Sequence, residues 1–189
     1  MTPSRPPKRW ALGGSEMSKV GQLERETQNR IVKLFEDELK YTYLANWLER
    51  PHNSNIEEAY LKPWLSRRGY SEAHISQAIN KLHRAADKGN RDLYHINQDV
   101  YEALRYGLNV QVSAGRNHDK VHLIDWETPE NNDFAIAEEV TLTGGHERRP
   151  DLVLYVNGIA VGVIELKRSS VGIGESIRQL RSNQQPQFN

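Results

Sequence analysis

The stretch Arg149-Pro150-Asp151-Leu152-Val153-Leu154-Tyr155-Val156-Asn157-Gly158-Ile159-Ala160-Val161-Gly162-Val163-Ile164-Glu165-Leu166-Lys167 decides the fold of this chain. Two apolar runs flank Asn157-Gly158, the dipeptide best suited to a tight hairpin because both residues tolerate positive φ. The runs are apolar on both faces, so the hairpin is expected in the middle of a covered sheet. Three charges interrupt it: Asp151 at the entry, Glu165 and Lys167 at the exit. Glu165 and Lys167 are two apart on one strand and share a face. A strict two-residue loop pairs Val156 with Ile159 and sets Asp151 opposite Ile164, which puts Asp151 and Glu165 on opposite faces. A bulge or a three-residue loop instead sets Asp151 opposite Glu165, and the three charges converge. A functional site here requires the irregular hairpin, and we expect one.

Upstream, residues 20–39 carry a helical period: Val20, Leu23, Thr27, Ile31, Leu34 and Phe35 recur at three- and four-residue steps. A helical wheel places Glu24 and Gln28 within that apolar stripe and Glu26 on the opposite, charged side. A carboxylate on a buried stripe is costly unless paired, which marks Glu24 as a candidate site residue. Residues 53–107 form a helical insertion. Asn55 is expected to cap a turn before Pro63, Ser71 a helix over 72–86, and a further helix runs over 92–106 up to Gly107. Residues 64–68 and 72–86 could form a helix-turn-helix, with Arg67, Arg68, Lys81 and Arg84 as its cations, or simply pack on the side of a sheet domain. Strands are expected at 110–112, 121–124 and 134–142, and a helix at 174–184.

The 189 residues fit one domain, with 37% hydrophobic residues and no apolar run near the roughly 18 needed to span a membrane. Cysteine is absent, which excludes disulfides, cysteine-bound zinc and thiol catalysis and is compatible with a cytoplasmic location. Twenty-five Lys and Arg balance 25 Asp and Glu, so any nucleic-acid contact must come from a local cluster of cations. Residues 1–18 read as a basic, Pro-rich tail without packing residues, in which Met17 is a second candidate start; the folded domain then occupies 19–189. His118 and His122 lack a carboxylate placed to complete a zinc site.

Two carboxylates brought together beside an ammonium suit magnesium, which takes hard oxygen ligands and keeps several waters. Such a site hydrolyses phosphodiesters: the ion activates a water and the lysine orients it or offsets developing charge. Glu38-Leu39-Lys40 repeats the acid-x-Lys spacing at a helix end, where it reads as a solvated face. The alternative for the 151–167 cluster is a buried, inert ion triad.

The arrangement Pro150-Asp151 … Glu165-Leu166-Lys167 resembles the PD-(D/E)xK nuclease superfamily. With Glu24-Arg25-Glu26-Thr27-Gln28 and Asn131-Asn132-Asp133-Phe134, the chain from about Met17 onward is similar to the N-terminal endonuclease domain of the restriction (motor) subunit of type I restriction–modification enzymes. The resemblance implies an α/β fold, a central mixed sheet flanked by helices, in which Asp151 and Glu165 bind Mg²⁺ and Lys167 assists. It also implies a contribution from an acid on the first helix, assigned here to Glu24. Family members carry Gln-x-x-x-Tyr on the helix after the Glu-x-Lys strand; Gln179 matches, whereas Asn183 stands in place of the tyrosine. Arg178 and Arg181 on that helix are candidate phosphate contacts. The implied partners are double-stranded DNA, a DNA-methylating (modification) subunit and a specificity subunit. ATP serves only a translocase expected downstream, since no Gly-x-x-x-x-Gly-Lys-Ser/Thr loop occurs in this chain and it is expected to be C-terminally incomplete. The alternatives are a stand-alone repair or junction nuclease of the same superfamily and a non-catalytic DNA-binding module.

Overall fold

The computed structural model describes residues 19–87, 89–112, 118–141, 149–166 and 177. Helix α1 (Lys19–Asp37) precedes a short strand, β1 (Thr42–Asn46). Three helices follow, α2 (Glu58–Arg67), α3 (Glu72–Ala86) and α4 (Leu93–Tyr106), then the small strands β2 (Leu108–Val110) and β3 (Asp119–Val121). After a 3₁₀ turn at Pro129–Asn131 come β4 (Phe134–Glu138), β5 (Leu152–Val156) and β6 (Ile159–Ile164). The main sheet is mixed, in the order β1-β4-β5-β6, with β1 parallel to β4 and the other neighbours antiparallel. β2 and β3 form a separate antiparallel pair.

Period-two alternation sorts the sheet's side chains onto two faces. Ile136 and Leu152, with Leu154 and Ile164, pack against Val32, Ile31 and Phe35 of α1. Ala135, Ala137, Val153 and Tyr155 point the other way, onto Trp47. The helices have their own core, in which Leu61, Trp64, Leu65, Ile79 and Leu82 are buried, and it joins the sheet through Ile56 and Ile159. Ser71 caps α3 as expected, accepting from the backbone N–H of His74, and Asp92 caps α4 in the same way, accepting from that of His95.

Several elements depart from the sequence reading. Strand β1 was not anticipated: only Leu44 of its five residues is even partly covered, so it carries no alternating pattern. Helix α2 runs unbroken with Pro63 inside it and without a side-chain cap, while the Asn55 carbonyl accepts from Ala160 N–H in a bridge to β6. Burial of Leu61, Trp64 and Leu65 outweighs the one helix bond that Pro63 forfeits. The strand expected at 134–142 ends at Glu138, because Glu139 turns the backbone to φ 49°. The hairpin lies at the sheet edge among the described residues: β5 is covered, while Val161 and Val163 of β6 are exposed. No helix among the described residues is long and apolar enough to cross a membrane. The expected tail (1–18) and the 174–184 helix lie outside those residues, apart from position 177.

Candidate active site

The β5–β6 hairpin carries the expected irregularity. Its loop is the strict two-residue one: Val156 pairs with Ile159, and Asn157 and Gly158 adopt φ of 53° and 82°. Tyr155 then pairs with Ala160 but Leu154 with Gly162, so Val161 is an extra residue in β6. Beyond the bulge Val153 meets Val163 and Leu152 meets Ile164. The next position outward on each side is Asp151 and Glu165. The bulge thus moves Asp151 from Ile164, its partner in a regular hairpin, to Glu165, and the two acids share a face.

Both acids are half-buried at the open end of the hairpin. Asp151 Oδ2 accepts from the Leu166 N–H at 2.6 Å, which ties the entry of β5 to the exit of β6 and orients the carboxylate across the strand pair. A carboxylate has about four acceptor positions, so this bond leaves Asp151 able to take a cation. Among the described residues, no three Asp, Glu or His side chains converge as a ready-made metal cage. A pair of hard oxygen donors still suits magnesium, which fills most of its coordination sphere with water.

Helix α1 lies against this end of the sheet. Glu24 is half-buried and Glu26 exposed, the order that the helical wheel gives, but Glu24 is not drawn into a three-carboxylate group. One turn further on, Gln28 is buried and shares its Nε2 group among Glu138 Oε2 (3.2 Å), Glu139 Oε1 (3.4 Å) and the carbonyl of Asp151 (3.4 Å). Glu138 also accepts from Arg25 Nη1 (2.9 Å) and the Tyr43 hydroxyl (3.3 Å). Burial, followed by the charge of Glu138, raises the Tyr43 phenol above its ordinary range. Glu139 accepts from Arg149 Nε at 2.9 Å, and its N–H donates to the Asp151 carbonyl. The sequence reading passed over Glu138 and Glu139. The signal was available: an acid ending the otherwise apolar run Phe134-Ala135-Ile136-Ala137 must be buried and paired. Lys167, Gln179, Asn183, Arg178 and Arg181 lie outside the described residues.

The cations proposed for a helix-turn-helix are largely engaged within the fold. Arg67 pairs with Asp133, Arg68 with Asp125 (3.0 Å), and Lys81 donates to the Asn109 carbonyl (2.5 Å). Helix α3 buries Ile75, Ala78, Ile79 and Leu82, and packs against α2, α4 and β2.

The sequence model of the family described as "Type I restriction enzyme R protein N terminus" matches residues 21–189. Among curated proteins, the "Putative type I restriction enzyme MjaVIIIP endonuclease subunit" of Methanocaldococcus jannaschii is 35% identical over 99 residues, 52% of this chain and 9% of that protein. The "Type I restriction enzyme HindI endonuclease subunit" of Haemophilus influenzae is 29% identical over 113 residues, 56% of this chain and 11% of that protein. The matched segments are about a tenth of the length of these relatives.

Proposed function

The chain belongs to the family of type I restriction enzyme R protein N-terminal regions, and from that membership we propose that it is a Mg²⁺-dependent endonuclease domain of the PD-(D/E)xK kind, cleaving phosphodiester bonds of double-stranded DNA. The observation that carries this reading is the bulged register that sets Asp151 beside Glu165. Two carboxylates brought side by side repel each other, and a divalent cation held between them offsets that repulsion.

In this reading Asp151 and Glu165 hold the magnesium ion. When bound, it supplies Lewis-acid stabilisation of the phosphoryl oxygens and a water of lowered pKa. The chain's own groups do the rest. Asp151 is held at its backbone by Gln28 and Glu139 and at its carboxylate by Leu166, which restrains the direction of the carboxylate. Lys167, two residues beyond Glu165, orients the attacking water or offsets charge on the phosphorane. Glu24 of α1 and Gln179 complete the site as an acid and an amide. In the longer protein, an ATP-driven translocase, a modification subunit and a specificity subunit direct cleavage, and this domain reads no bases itself.

Calorimetric titration of Mg²⁺ or Mn²⁺ into the chain, beside Asp151→Ala and Glu165→Ala, tests the site. Binding that is lost in both variants, with at least about a thousandfold loss of cleavage in the assembled enzyme, is the expected result. Equal metal affinity in wild type and variants would remove these residues from the ligand set.

A further inference from the structure

Two consecutive acids, the last residue of β4 and the one after it, each grip an arginine from a different part of the chain. Glu138 holds Arg25 of α1, and Glu139 holds Arg149 just before Asp151, each at 2.9 Å. Gln28 touches both carboxylates and the Asp151 carbonyl, so both pairs sit on the rim that carries Asp151. The burial within each pair is one-sided. The Glu138 side chain is 4% exposed and Arg25 42%; Glu139 is 18% exposed and Arg149 51%. The acid is the anchor and the guanidinium is presented to solvent.

A guanidinium has five N–H donors in a rigid planar fork. One contact to the acid restrains the fork, and among the described residues its remaining donors can meet an outside acceptor. The charge of Glu138 is also shared with Gln28 and Tyr43, so Arg25 is not fully offset. The chain's zero net charge supplies no general pull on a polyanion, so backbone contact must come from local cations such as these.

We propose that Arg25 and Arg149 are pre-oriented phosphate-binding groups that hold non-reacting phosphates of the DNA backbone beside the Asp151–Glu165 pair. The proposal rests on the nuclease reading above. It assigns the two Arg–Glu pairs to substrate positioning rather than to fold stability.

The test is fluorescence anisotropy of a short labelled duplex with the 189-residue chain in chelator, over a series of KCl concentrations. Arg25→Gln and Arg149→Gln are each expected to lower affinity about tenfold and to reduce the slope of log affinity against log salt by about one. Arg25→Lys keeps the slope while losing affinity. Arg67→Gln, which breaks the pair with Asp133 at the other end of β4, leaves the slope unchanged and controls for bulk charge. If Arg25→Gln does not fold, Arg149→Gln and Arg25→Lys carry the test. Unchanged slopes in the folded Arg→Gln site variants, or an equal drop in Arg67→Gln, overturn the proposal and leave the nuclease reading standing. A wild-type chain that binds no duplex overturns both.

Discussion

The two ends of the β5–β6 hairpin are built to opposite specifications. At the turn, Asn157 is fully buried and every polar atom of its amide is answered: Nδ2 donates to the Leu123 carbonyl and Asn132 Oδ1, and Oδ1 accepts from Asp133 N–H. Gly158 is pressed against the Glu57 carbonyl, where an added Cβ would stand 2.6 Å away. This end is neutral, closed and finished. At the open end, four acids (Glu138, Glu139, Asp151 and Glu165) gather around one sheet rim. Two are anchored by arginines, and Asp151 and Glu165 are half-buried. A fold gains nothing in stability from such crowding of like charge. The turn end serves the structure; the open end is where the proposed site lies.

This contrast can be broken most sharply through the register. Deleting Val161 removes the bulge but preserves every pair on either side of it, so Asp151 still meets Glu165 and cleavage should stay within about tenfold of wild type. Inserting one alanine between Ile164 and Glu165 turns Glu165 to the other face, and cleavage should fall at least about a thousandfold. Comparing the two in the assembled enzyme separates register from mere disturbance. If both variants lose activity alike, register is not what the hairpin provides.

The turn end should answer in stability instead. Asn157→Ala removes the buried amide and leaves a non-Gly, non-Asn residue at φ 53°, at a cost of about 3 kcal/mol. For a domain of this size that lowers Tm by about 6–12 °C, measured by thermal denaturation. Metal affinity of the folded fraction should be unchanged, because the Asn157 amide and its hydrogen-bond partners sit at the opposite end of the strands from Asp151 and Glu165.

A smaller effect lies between the ends. Burial, then the charge of Glu57, raises the Tyr155 phenol well above its ordinary range. The folded state therefore keeps its proton where the unfolded chain gives it up near pH 10. Stability from this group is complete below about pH 10 and falls as pH rises beyond it, by at most about 1.4 kcal/mol per pH unit. Tyr155→Phe should flatten that decline in urea unfolding between neutral and alkaline pH. The Tyr43 phenol, raised chiefly by burial and then by Glu138, contributes in the same direction.

Much of this was legible in the residues themselves. Asn157-Gly158 specifies its turn because few other dipeptides accept two positive φ angles. The stripe on α1 and the cap at Ser71 are local or periodic signals, and these survive without knowledge of neighbours. The need for an irregular hairpin also followed from parity alone, since a carboxylate pair cannot share a cation across a sheet.

What no local pattern could supply depends on distant partners. Strand β1 exists because β4 offers it a parallel edge, not because Thr42–Asn46 alternates. Whether the extra residue would be Val161 or a longer loop was settled by the fit of Ile159 and Ala160 to residues 55–56. Glu138 and Gln28 meet across 110 positions of sequence, and Arg149 meets Glu139 at the same rim. A charge is tolerable in a buried place only where donors converge on it, and that convergence is a property of the folded chain.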